Sequence, residues 1–270
     1  MSTLPPSTAA LHARLGAAAA IAALLAGCAG TTGGEHVHFH AAAAGVQDGA
    51  DGGVEFDNGP GYHVTLTRAR LHIGAVYLNQ SVPSSGSQAT ACILPGIYVG
   101  EVLGSLDVDV LSSTPQPFPV EGDGTTYTAK AGELWLTGGD INRIEDTTVI
   151  LDVAGTADRD GMQYPFEAKV TIGENRLIPS TNPAFPGQNP ICKQRIVSPI
   201  PVDFTLHDGG RLLIRIDPSV WFAGVDFSAL EQVREDPPLY RFADTSSGPA
   251  EISLYNGLHA RTGAYDFVWK

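Results

Sequence analysis

The sequence predicts an all-β fold: an antiparallel β-sandwich of roughly eight to twelve strands with one short helix near the C-terminal third. Three observations lead there. Only 17% of the residues are charged, while glycine and proline number 31 and 19, a turn-rich and lightly charged composition. Apolar and polar residues alternate with a period of two in one segment after another. Turn-forming clusters stand between those segments.

The elements follow in chain order. His36-Val37-His38-Phe39-His40 alternates from its first residue. Tyr62, Val64 and Leu66 are apolar at even positions, whereas Leu71, Ile73, Ala75 and Tyr77 are apolar at odd ones. A one-residue slip turns every side chain to the other face, so a bulge is expected near Thr67–Ala69. Leu106, Val108 and Val110 alternate with Asp107 and Asp109. Val149, Leu151 and Val153 form one arm of an expected hairpin. Tyr164, Phe166, Ala168, Val170 and Ile172 form the other, and Asp158-Arg159-Asp160-Gly161 supplies the turn. Prolines crowd the stretch from Ile178 to Pro201, which reads as an irregular connection. Val202, Phe204 and Leu206 then lead through His207-Asp208-Gly209-Gly210 to Leu212, Ile214 and Ile216. The single helix is expected within Val220–Glu235, with Ser228 and Glu231 at capping-box spacing and Pro237-Pro238 as its stop.

The first 27 residues carry a different signal. Arg14 precedes a small, apolar run from Leu15 to Gly27, 13 residues long, whereas a spanning helix needs about 20. That is the pattern of a secretory signal peptide. It ends in Leu25-Ala26-Gly27-Cys28, which resembles the lipobox of bacterial lipoproteins. The resemblance implies cleavage before Cys28, acylation of that cysteine and attachment to a membrane, and Ala29 after it implies the outer membrane. The expected organisation is therefore a signal peptide at 1–27, a lipidated tether at 28–34 and a single β-sandwich domain at 35–270. With Cys28 taken by lipid, Cys92 and Cys192 remain as a candidate disulfide in an oxidising compartment; two unpaired thiols are the alternative.

A net charge of −13 argues against nucleic acid and anionic lipid surfaces as partners. No G-x-S-x-G, H-E-x-x-H, P-loop or dinucleotide fingerprint occurs, so the chain is expected not to be an enzyme. Asp48, Asp51 and Asp57-Asn58-Gly59 read as turn chemistry without the pattern of an EF-hand loop. Trp135, Trp221 and Trp269 have apolar neighbours and are expected in or beside the core.

Histidine carries the one sharp chemical signal. His36, His38 and His40 share a strand face, with neighbours about 6.6–7 Å apart along it. Either adjacent pair can converge on one ion. The phase break turns His63 and His72 to a common face as well, which makes them candidates to complete a site. Imidazole suits copper and zinc. The alternative is the polar face of an edge strand with Val37 and Phe39 buried. The order of features also resembles the MbnP-type copper-binding periplasmic proteins: a His-bearing first strand, a long strand like Tyr62–Asn79, a central Gly132-Glu133-Leu134-Trp135 and a late strand and helix like Leu212–Leu230. This resemblance implies a β-sandwich that binds copper through the N-terminal histidines. The expected function is therefore a lipid-anchored envelope protein binding copper or zinc; the alternative is a structural or adhesive module with no such ligand.

Overall fold

Alternation becomes strand wherever the sequence carries it. His36–Gly45 (β1) buries Val37, Phe39, Ala41 and Ala43 and turns His36, His38 and His40 outward. The computed structural model describes residues 34–48, 53–81, 96–143, 145–173, 191–245 and 248–270. The expected signal segment 1–27, Cys28, most of the expected tether, Asp51 and Cys92 lie outside the described residues. Cys192 is buried and disulfide-bonded.

The phase break is where the sequence puts it. His63–Ile73 (β3) pairs with Val149–Arg159 (β10), and the register steps from Ala154–Arg68 to Gly155–Leu66, leaving Thr67 without a partner. Val64 and Leu66 before this bulge, and Ala69, Leu71 and Ile73 after it, all reach the core. His63 and His72 therefore both point away from it. The hairpin of β10 with Met162–Thr171 (β11) closes through the Arg159–Met162 pair. Asp160 and Gly161 at its tip both have positive φ, 54° and 80°, as a two-residue type I′ turn requires.

The other strands are Val54–Asp57 (β2), Ala75–Asn79 (β4), Tyr98–Val102 (β5), Leu106–Asp109 (β6), Gln116–Pro117 (β7), Gly122–Thr125 (β8), Thr128–Trp135 (β9), Ile196–Thr205 (β12), Gly210–Ile216 (β13), Glu231–Arg234 (β14), Leu239–Phe242 (β15) and Tyr265–Trp269 (β16). Among the described residues they form two sheets. One has nine strands in the order β12-β9-β4-β5-β8-β1-β13-β16, with β7 also on β1; the other has seven in the order β14-β15-β11-β10-β3-β2, with β6 also on β3. Pairing is antiparallel except for β1 with β13 and β11 with β15. These partners lie far apart in the sequence, so no hairpin dictates their direction. One apolar cluster draws on both sheets. The chain is thus all-β in its main substance, with more strands than its alternation suggests. The strand expected at Val202–Leu206 begins earlier, at Ile196, so that β12 takes up the last residues of the expected irregular connection.

The expected helix at Val220–Glu235 is not there. Asp217 and Asp226 each accept a hydrogen bond from the backbone two residues on, Ser219 and Ser228, and each starts a short 3-10 turn, Pro218–Phe222 and Phe227–Ala229. Glu231 belongs to β14 instead of a capping box. Trp221, Phe222, Val225 and Phe227 are all buried; that spacing leaves no polar face for a surface helix. A single helical turn stands at Ile191–Gln194, and a ten-residue helix lies instead at Pro249–Leu258, burying Ala250, Leu254, Tyr255 and Leu258. Gly257 lets it pack onto the first 3-10 turn, since a Cβ there would lie 2.4 Å from the Trp221 carbonyl oxygen. Among the described residues no helix is long and apolar enough to cross a membrane.

Two buried polar groups fix the loop after β9. Arg195, fully buried, donates from Nε (2.9 Å) and Nη2 (2.7 Å) to the Ile172 carbonyl and from Nη1 (2.9 Å) to that of Ile141. Burial alone would raise the pKa of Asp146. Donation from the Thr148 hydroxyl and amide, the Gly138 amide and the Thr137 hydroxyl outweighs that and holds it at about 2. A depressed carboxylate contributes stability that is complete above its ordinary value, 3.8, and is lost as pH falls through about 2. Asp146→Asn is expected to cost about 2 kcal/mol at pH 6, and the gap from wild type should close by pH 2. Urea denaturation at both pH values checks it; a gap independent of pH contradicts it.

Candidate metal site

The five expected histidine ligands do not converge. β1 belongs to the nine-stranded sheet and β3 to the seven-stranded one. His63 Nδ1 lies 2.9 Å from Asp57 Oδ1 and its Nε2 lies 3.8 Å from Glu55. The Asp57 hydrogen bond raises the His63 pKa, favouring a proton over a metal on that ring. His72 Nδ1 lies 2.7 Å from Asp107 Oδ1. His40 Nδ1 lies 3.4 Å from Glu121.

What does converge is His36, His38 and Asp123. One ligand atom from each lies within 4.8 Å of the others, so the three could hold a metal ion. His38 Nδ1 is 2.7 Å and His36 Nε2 3.8 Å from Asp123 Oδ1. The rings meet edge to face with centroids 4.8 Å apart. β1 supplies the histidines by i, i+2 spacing and β8 supplies the acid, because Asp123 is the direct cross-strand partner of His38. Around a tetrahedral ion with ligands at about 2.0–2.2 Å, donor atoms sit about 3.3 Å apart. The three side chains are more than half exposed, so small rotations bring them in. Asp123 stands in Gly122-Asp123-Gly124, which reads as a turn in sequence; nothing local marks it as the strand partner of His38.

The register adds a fourth residue. Glu101 on β5 is the direct partner of Asp123, and like charges directly opposite destabilise a sheet. Elsewhere the opposed charges alternate in sign: Arg70 with Asp109 and Asp152, Asp152 with Lys169, Glu167 with Arg241, and Arg215 with Asp266. Glu101–Asp123 is the one pair of carboxylates directly opposed in the described registers, and it lies beside the two imidazoles. His36, Tyr98, Glu101, Asp123 and Thr125 line a common cleft of about 280 Å³. Burial, aided by the nearby Glu133 and Glu101 carboxylates, pushes the Tyr98 phenol up to about 12, so at neutral pH it stands as a phenol.

Compared with known proteins, the chain matches no family model, no curated protein and no solved structure.

Proposed function

We propose that this chain is a lipid-anchored, non-enzymatic binding protein of the cell envelope that holds a copper or zinc ion through His36, His38 and Asp123. The signal segment is removed before Cys28, lipid on Cys28 attaches the chain to the outer membrane, Cys92 and Cys192 pair, and the two sheets stack as a β-sandwich. The observation that carries the reading is the opposed pair Glu101–Asp123 next to two imidazoles. A cation between them removes the repulsion, and the nitrogen and oxygen donors suit copper and zinc. His40, His63 and His72, each beside its own carboxylate, take no part. The donors are exposed, so the ion exchanges readily; this suits capture or delivery better than a sealed structural role.

Chelator-stripped protein titrated with Cu(II) or Zn(II) is expected to take up one equivalent. His38→Ala and Asp123→Ala should each weaken uptake at least tenfold, while His63→Ala and His72→Ala keep it. Uptake that none of these changes, or no uptake by wild type, leaves the structural or adhesive module as the better account. The address is tested separately by fractionation: Cys28→Ser should leave the membrane fraction, and its retention there contradicts the anchor.

A further inference from the structure

A second site lies on the outward face of the same sheet. β1 pairs with β13 so that His40 stands opposite Arg211 and Ala42 opposite Leu213. Arg211 in turn exchanges backbone hydrogen bonds with Lys270. One row across the sheet is thus basic, His40–Arg211–Lys270, and the next is apolar, Ala42–Leu213–Val268. All six positions face away from the core, where alternation ordinarily places polar residues. Pro115 and Pro117 wall the apolar row on the side of β7, and the half-open cleft has a volume of about 360 Å³.

Electrostatics sharpens the case. The chain has 29 acidic residues against 16 lysines and arginines. Among the described residues neither Arg211 nor Lys270 makes an ion pair. Arg211 and Lys270 beside an apolar trough are complementary to an anion that carries an apolar body. A guanidinium presents parallel N–H donors that match a carboxylate, and clefts of this size with an apolar lining and a few convergent polar groups are the usual form of a small-molecule site.

We propose that this cleft binds a small organic carboxylate, with its head on Arg211 and Lys270 and its aliphatic body over Ala42 and Leu213. The site is independent of the metal ligands and stands whether or not His36, His38 and Asp123 hold an ion.

Saturation-transfer NMR on the purified chain with hexanoate, acetate and 1-hexanol tests it. Hexanoate should receive saturation along its alkyl chain and bind at least tenfold more tightly than acetate or 1-hexanol. Arg211→Gln with Lys270→Gln should weaken hexanoate at least tenfold while leaving the circular dichroism spectrum unchanged, and Leu213→Thr should weaken it severalfold. No saturation of hexanoate overturns the proposal, as does binding that 1-hexanol matches or that the double variant retains.

Discussion

Arg195→Met is expected to destabilise the fold by about 3–5 kcal/mol, because two buried carbonyls lose their donors at about 1–3 kcal/mol each and the loop they hold loses its anchor. The guanidinium joins the end of β11, at Ile172, to the loop at Ile141, at a site where Arg195 is 0% exposed. Methionine fills much of the same volume, so the loss reports hydrogen bonds more than a cavity. Arg195→Lys separates the two effects. One ammonium keeps the charge but cannot reproduce the planar fork, and its cost should fall between wild type and Arg195→Met. Chemical denaturation with an unchanged m-value measures both. A cost for Arg195→Met below about 1 kcal/mol, the scale of a surface substitution, contradicts this account of the loop.

Glu101→Lys is expected to move stability and metal affinity in opposite directions. In the metal-free chain it turns the opposed carboxylates Glu101 and Asp123 into a pair of opposite charges, a gain on the order of 0.5 kcal/mol. With a divalent ion beside Asp123 the same change places two units of added positive charge about 6 Å away, which weakens binding by about 2–3 kcal/mol even at the dielectric of water. Affinity should therefore fall thirtyfold or more while the thermal midpoint of the stripped protein stays level or rises. Glu101→Gln should show smaller changes of the same sign in both. A variant less stable and equally tight in metal binding would mean that Glu101 serves the fold and not the ion.

Period-two patterning made much of the fold legible, because alternation is local: β1, both arms of the β10–β11 hairpin and the bulge at Thr67 follow from runs of a few residues. The helix was misplaced because the same local rule has no view of the core. Trp221, Phe222, Val225 and Phe227 look like an apolar helical stretch, yet they are buried on all sides and each 3-10 turn is started by an aspartate. The helix at Pro249–Leu258 buries Ala250, Leu254, Tyr255 and Leu258 but leaves Ile252 exposed, and Gly248, Asn256 and Gly257 weaken it in sequence. The site divides in the same way. His36 and His38 share a face by spacing alone. Asp123 and Glu101 join them only through the pairing of β1, β8 and β5, a register that no single segment encodes. His63 and His72 both point away from the core, but the sheet that carries them is the seven-stranded one, not the sheet of β1.

The central claim is that two imidazoles of β1 hold an ion together with Asp123. Electron paramagnetic resonance of the chain loaded with one equivalent of Cu(II) tests it most directly, since modulation from the remote imidazole nitrogen counts the bound rings. Two rings are expected in wild type, one in His36→Ala and one in His38→Ala, with His63→Ala unchanged from wild type. A spectrum that keeps two rings in both β1 variants, or loses them only in His63→Ala, would contradict the claim.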